Sequence, residues 1–349
     1  MKLFFQFLIF LLVLFFYLHI YYHLKTSNDL ELYTIEEPSK DKLEEVCNLR
    51  QPVLFDFDNE LLLKECNLTN LVDNYGAFDI KMREPGIVDD NSEMYLPFIL
   101  NESIQLFQKK DGKYITENNS DFLQETGVVK KFQYNDAFLR PPLVSNCLYD
   151  FQSGTINAET PLRYNLNFRN FYFVTSGKIT VKLIPPKSHK YLYIQKDYDN
   201  FEFRSLINPW NVQSQYKNDF GKVKVLDIEI EKGQMLVIPP YWLYSIKYNK
   251  LSSICVFKYR TFMNNVAILP HLCLYLLQNQ NIKRNMVNVV KNNNEKVGED
   301  ETKKATNVER HSNETNKGES ISNTSNVITS NSTYNPPPIP VAANNTQQL

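Results

Sequence analysis

The stretch TPLRYNLNFRNFYFVTSGKITVKLIPP, residues 160–186, decides the fold. From Phe168 onward its apolar residues follow the period of two that a pleated strand imposes, because successive side chains point to opposite faces. NFYFVT (170–175) reads as a strand, Ser176-Gly177 as a turn and KITVKLI (178–184) as the partner of a hairpin, closed by Pro185-Pro186. Further on, KVKVLDIEI (222–230) alternates Leu226, Ile228 and Ile230 with Asp227 and Glu229, and a Lys232-Gly233 turn leads into QMLVI (234–238). Pro239-Pro240 breaks the ladder before WLYSIKY (242–248) and SSICVFKYR (252–260). Short antiparallel strands spaced by turns predict a sandwich or barrel. Upstream, SKDKLEEVCNL predicts a helix capped by Ser39 with Leu43, Val46 and Cys47 on one face. QPVLFDF (51–57) predicts a strand, and NELLLKECNLTNLVDNYG one helix that stops at Gly76. The fold class is mainly β with flanking helices.

Composition narrows the functions. In 349 residues, 43% hydrophobic content is enough to bury a core, which excludes a wholly disordered chain. With 38 Lys+Arg against 39 Asp+Glu, there is no cationic surplus to bind nucleic acid through counterion release. Twenty-one Tyr and 23 Phe against 10 Gly fit an aromatic-packed β fold. No GxGxxG or GxxxxGK[ST] loop is present to cradle a nucleotide.

The two ends differ from the body. Leu3 to Leu24 carry no Asp, Glu, Lys or Arg, enough to cross a hydrocarbon core of about 30 Å as a helix, with Tyr17, His19, Tyr21, Tyr22 and His23 suited to the interface. The small residues of a signal-peptide cleavage site are missing, so a retained anchor is expected. Lys2 precedes the span, while Asp29, Glu31, Glu36 and Glu37 follow Lys25. The predicted orientation is therefore type II, with the body luminal or extracellular. Seven glycosylation sequons, at Asn67, Asn101, Asn118, Asn313, Asn323, Asn331 and Asn344, point the same way, although 39 Asn make such triplets common by chance. After Lys291 the composition turns to Asn, Ser and Thr with one Tyr and no Phe or Trp, which predicts disorder over 291–349, and PPPIP (336–340) reads as a spacer. The expected division is an anchor at 1–24, a stalk at 25–40, a β domain at 41–267, a helical segment at 268–290 and the tail at 291–349. Cys47, Cys66, Cys147, Cys255 and Cys273 lack metal-finger spacing and read as small buried hydrophobes, with one disulfide expected at most.

Over about residues 50–260 the chain resembles the cupin-like, JmjC-type hydroxylases, double-stranded β-helix enzymes that use Fe(II) and 2-oxoglutarate. RQPVLFDF followed by LVDNYGAFDIKMRE is similar to the family's opening strand and helix-to-strand unit, TPLRYNLNFRNFYFVTSGKITVKLIPP to its first ligand strand and hairpin, and KGQMLVIPPYWLYSIKY to its closing strands around Trp242. The resemblance implies a His and an Asp at the positions of Arg163 and Asn165, a second His at Tyr244, and a basic residue for 2-oxoglutarate at Ile179. Arginine has no lone pair to give and repels a cation, and asparagine and neutral tyrosine are poor donors for ferrous iron. No catalytic residue, metal ligand or cofactor is therefore assigned. Asn170 matches a polar position near the co-substrate pocket. His189 and His271, in SHKYLY and PHLCLY, belong to no HxD or HxE pair and read as loop or helix-start residues. Lys178 points to the face opposite Ile179.

What remains is a cupin-shaped cavity lined by Arg163, Asn165, Asn170, Ile179, Trp242 and Tyr244. Arg163, if inward, needs either a protein carboxylate or an anionic small molecule held bidentately. The favoured function is a membrane-anchored binding or structural module lacking the iron and 2-oxoglutarate ligands. The alternatives are an Fe(II)/2-oxoglutarate hydroxylase with ligands from other positions, and a luminal carbohydrate-modifying enzyme, for which DYDN (197–200) is the sole metal-like motif and reads as a loop. The helix near Pro270, with Leu272, Tyr275, Leu276, Met286, Val287 and Val290, is expected to cover the barrel or pair with a second copy, since the resemblance implies a homodimer.

Overall fold

The computed structural model describes residues 1–84, 95–109 and 113–280. The predicted tail, and with it Met286, Val287 and Val290, lies outside them. Among the described residues the strands form two sheets. The larger runs Tyr33–Ile35, Val53–Asp56, Gln234–Val237, Arg169–Ser176, Ser252–Thr261, Val144–Gly154, Ile115–Thr116, Asp79–Arg83, Leu96–Ile99. The smaller runs Ile194–Asp197, Glu202–Ser205, Arg163–Tyr164, Leu243–Tyr248, Lys178–Ile184, Leu226–Glu231.

The predicted strands form, but the predicted hairpin does not. Arg169–Ser176 and Lys178–Ile184 lie in different sheets, as do Leu226–Glu231 and Gln234–Val237, and again Leu243–Tyr248 and Ser252–Thr261. Each strand pairs with one distant in sequence: Phe173 stands opposite Cys255 and Met235, and Val181 opposite Ile246 and Ile228. Alternation reports which face a residue occupies; it carries no information about which strand lies alongside. Gly177 (φ +77°) and Gly233 (φ +93°) use the left-handed backbone open to glycine to turn the chain from one sheet into the other. This alternate winding is the double-stranded β-helix.

The two sheets enclose one core, in which Tyr172, Val174, Ile179, Val181, Leu183, Trp242, Tyr244 and Tyr248 pack together. Phe171 and Phe173 point outward from the larger sheet into a second core beneath the N-terminal helices. Arg169–Ser176 is thus buried on both faces, which explains why NFYFVT is apolar at nearly every position.

Upstream, Ser39 accepts a hydrogen bond from the Lys42 N–H at the start of helix Lys40–Asn48, whose buried residues are Leu43, Val46 and Cys47. The single helix expected over 59–76 is two, Glu60–Glu65 and Leu68–Tyr75. Asn67 divides them: its Nδ2 donates to the carbonyls of Leu63 (3.0 Å) and Lys64 (2.7 Å), and its Oδ1 accepts from Asn70 N–H (2.9 Å). The stalk also needs correction. Tyr33–Ile35 pairs in parallel with Val53–Asp56, and Leu30 and Leu32 pack on the core, so much of 25–40 is built into the body.

Helix Lys2–Leu24 is long and apolar enough to span a membrane, and its apolar window is unburied. Its last turn is tied to the body by Tyr22 Oη donating to Asn48 Oδ1 (2.8 Å) and by a hydrogen bond between His23 Nε2 and Thr261 Oγ1 (3.2 Å). Residues 269–280 are helical, with Tyr275 edge-on to Phe201 at 5.3 Å and Leu274, Leu276 and Leu277 exposed. All five cysteines are free thiols, so the expected disulfide does not form.

Gly177 and Gly233 separate strain from crowding. A Cβ on Gly233 meets nothing within 4 Å, so Gly233→Ala should cost about 1–2 kcal/mol of left-handed strain alone. A Cβ on Gly177 would lie 2.6 Å from Leu251 O and 2.8 Å from Ser252 Cα. Gly177→Ala should therefore cost about 3 kcal/mol or more, read as a larger drop in urea midpoint for the full chain in detergent.

Candidate functional site

The short strand Arg163–Tyr164 is wedged between Glu202–Ser205 and Leu243–Tyr248, with Arg163 opposite both Arg204 and Tyr244. Its side chain is buried and meets carboxylates from both sheets. Arg163 Nη1 donates to Glu117 Oε1 (2.9 Å) and Glu202 Oε1 (2.7 Å), and Nη2 donates to Glu117 Oε2. Arg83, from the larger sheet, completes the set. Its Nη2 lies 2.5 Å from Glu117 Oε1, and its two terminal nitrogens donate to the two Glu202 oxygens at 3.1 Å each. Tyr95 Oη donates to Glu117 Oε1 at 3.0 Å, beneath the Arg83 guanidinium.

The protonation states follow from this ring. Burial alone would raise the Glu117 carboxyl, but the guanidiniums of Arg163 and Arg83 outweigh it and hold the group well below the ordinary carboxylate range. Against the same desolvation, Arg163 and Arg83 hold Glu202 at about 2. Burial lowers Arg163, yet Glu117, Tyr244 and Glu202 more than reverse that and keep it cationic. Two positive and two negative groups thus cancel in a buried site, the condition under which such charges are tolerated.

The structure brings Arg163, Asn165 and Tyr244 together. Asn165 Nδ2 donates to Tyr172 Oη (3.0 Å) and Tyr244 Oη (3.3 Å), and the Arg163 guanidinium lies 5.7 Å from the Tyr244 ring centre. The Tyr172 and Tyr244 rings are tilted against each other at 5.4 Å. Ile179 and Trp242 lie in the same core, fully buried, with Trp242 Nε1 unpartnered among the described residues. Asn170 sits apart, donating to Ile238 O (3.1 Å) and accepting from Asn167 Nδ2 (3.2 Å), which ties its strand to the Pro239 turn.

Ile179, Trp242 and Tyr244 are buried in the core between the sheets, while Asn165 is half-buried. Of the two partners considered for Arg163, the structure supplies protein carboxylates: Glu117 and Glu202 take up the guanidinium. Glu117, Glu202, Arg83, Tyr95 and Tyr172 were not predicted. The requirement that an inward Arg163 be paired demanded a carboxylate, but nothing in ITENNSD or DNFEFRS marks its glutamate as buried.

The remaining candidates have local roles. His189 Nε2 hydrogen-bonds Tyr241 O (2.8 Å) with its ring stacked on Tyr164, and His271 Nδ1 hydrogen-bonds Tyr198 Oη (3.0 Å). In DYDN, Asp197 accepts from the N–H groups of Asp199 and Asn200 and closes a turn. Lys178 lies outside the barrel against Glu229 and Glu231.

These residues do not fit ferrous iron. The three ligand positions hold a guanidinium, a carboxamide and a phenol, and both nearby carboxylates have their lone pairs engaged by arginine. Among the described residues no three His, Cys, Asp or Glu side chains are grouped to hold a metal. Nor does buried, apolar Ile179 offer a charge to the far carboxylate of 2-oxoglutarate.

Removing one partner should expose the cost of the ring. Arg163→Met leaves Glu117 with Arg83 alone and should destabilise the protein by about 3–5 kcal/mol in urea unfolding at neutral pH. Depressed carboxyls stabilise above their unfolded value and lose that contribution as pH falls through their folded value. Wild-type stability should accordingly fade from about pH 4.5 towards the Glu202 value of about 2. The gap to Arg163→Met should narrow over the same window, because the stranded carboxylate is then protonated.

A comparison with curated proteins finds no match to this chain. Residues 104–265 match the family model for the cupin-like domain. The opening strand and the helix-to-strand unit lie outside that match, which starts within helix Leu100–Phe107. The match covers both metal-ligand segments, the turns that cross between sheets and three members of the charge ring. Residues 104–265 form a cupin-like domain.

Proposed function

We propose that this chain is a membrane-anchored cupin-like module that binds or organises other components and does not carry out iron/2-oxoglutarate chemistry. One observation carries the reading: the position where the resemblance requires a metal-binding histidine holds Arg163, and its charge is satisfied by Glu117 and Glu202. A cation entering there would have to displace two guanidiniums from two carboxylates and would find no imidazole. The fold is therefore used as a scaffold, since a fold by itself does not specify chemistry. Helix Lys2–Leu24 supplies the anchor, and the exposed Leu274, Leu276 and Leu277 support pairing with a second copy through the C-terminal helix.

Purified full-length chain in detergent, given Fe(II), ascorbate and 2-oxoglutarate, should produce no succinate above a metal-free control. Iron-dependent succinate formation that disappears in Asn165→Ala or Tyr244→Phe would overturn the proposal.

The same reading places the body on the luminal or extracellular side. Asn101 is exposed at the start of helix Leu100–Phe107, whereas the Asn67 side chain is engaged as a cap. In a secretory-pathway host, the full chain should show an endoglycosidase-sensitive mass shift that Asn101→Gln reduces. A chain with no such shift would reverse the proposed orientation.

A further inference from the structure

Where the apolar helix meets the body, its last turns wall a cavity of about 440 Å³. Leu18 and Tyr22 of the helix and Phe168 of the body give it an apolar lining, with His23 and Arg169 at its inner end. A 23-residue helix is roughly 34 Å long, slightly more than a hydrocarbon core of about 30 Å. A span that begins at Lys2 then leaves Tyr22, His23 and Leu24 at the level of the lipid headgroups and Leu18 inside the hydrocarbon.

Among the described residues no carboxylate lies within ion-pair distance of the charge here, and Glu44 acts on Arg169 only from farther off. Arg169 is buried and donates to two uncharged acceptors, Cys47 O (3.2 Å) and Asn48 Oδ1 (2.6 Å). Arg50 is 1% exposed and lies over the rings of Tyr22 (5.2 Å) and Phe168 (4.7 Å), with Tyr22 as its polar neighbour and no carboxylate paired to it among the described residues. Burial and the nearby Arg169 bring Arg50 down to about 10, so it is still cationic at neutral pH. Glu44, the carboxylate on this rim, lies 3.6 Å from Lys40. Two buried guanidiniums without an ion-paired carboxylate are costly, in contrast to the neutral ring at Arg163, and an anion with an apolar body would offset that cost. Leu143 and Phe262, on the outer rim, are 78% and 62% exposed, as expected of side chains that enter a membrane.

We propose that this cavity holds an anionic phospholipid, its net-negative headgroup drawn by Arg169 and its acyl chains laid along Leu18, Tyr22 and Phe168. The site rests on the anchor reading above. The cupin-like body is then seated on the membrane by a lipid as well as by its helix.

The test purifies the full chain from mixed micelles of phosphatidylcholine and phosphatidylserine and reads retained lipid by native mass spectrometry. Phosphatidylserine should be retained about tenfold over phosphatidylcholine, as expected for one charge-assisted contact. Arg169→Gln should bring the two lipids to parity. Leu18→Trp narrows the cavity from the helix and touches no charge; it should reduce retention of both. Equal retention of the two lipids by wild type, or retention unchanged in Leu18→Trp, overturns the lipid site, while resistance of the chain to alkaline carbonate extraction keeps the anchor. Displacement of the lipid by excess inorganic phosphate identifies a free-anion site and overturns the lipid assignment. Release by carbonate removes the anchor and the site together.

Discussion

Two guanidiniums and two carboxylates closing on one another hold the mouth of the barrel. Arg83 and Glu117 come from the edge of the larger sheet, while Arg163 and Glu202 come from the smaller one, so the ring joins the two layers where no backbone ladder connects them. Each ion, alone, would carry a desolvation cost of several kcal/mol. Together they cancel, with each carboxylate bound by both arginines. Such a ring contributes geometry more than net stability: it fixes the two-residue strand Arg163–Tyr164, and that strand sets the positions of Asn165 and Tyr244.

Behind the ring the space between the sheets holds a packed aromatic and aliphatic core. Tyr172 and Tyr244 share the Asn165 amide, and the rings of Trp242 and Tyr248 occupy the space between the sheets. The side chains that stand at the ligand positions are large, and they pack. Charge is thus matched at the ring, and aromatic side chains pack behind it.

At the opposite end of the body the same residue type behaves differently. Arg50 and Arg169 are as buried as Arg163 but face ring systems and neutral oxygens, beside a helix suited to lipid. With Tyr33–Ile35 in the sheet and the last helical turn hydrogen-bonded to the body, little free chain separates the apolar helix from the domain. The body is held close to its helix, with a cavity at the junction.

Much of this was legible in the residues. Period two, the proline pairs and the glycine turns located the strands within a few positions, Ser39 announced its helix, and the uncharged run from Leu3 announced a span, because each of these signals is local. The resemblance to cupin-like proteins placed Arg163, Asn165 and Tyr244 near one another, and they are. What the residues could not show is partnership between distant positions: that the strand before Gly177 pairs with Ser252–Thr261 while the strand after it pairs with Leu243–Tyr248, that Asn67 splits a helix, or that Glu117 and Glu202 are the counter-ions of Arg163. A glutamate reads the same in a solvated loop and in a buried ion pair. The amino-acid order determined where the chain turns and which faces are apolar; only the tertiary structure decided which charges meet, because that depends on through-space distances between residues tens of positions apart.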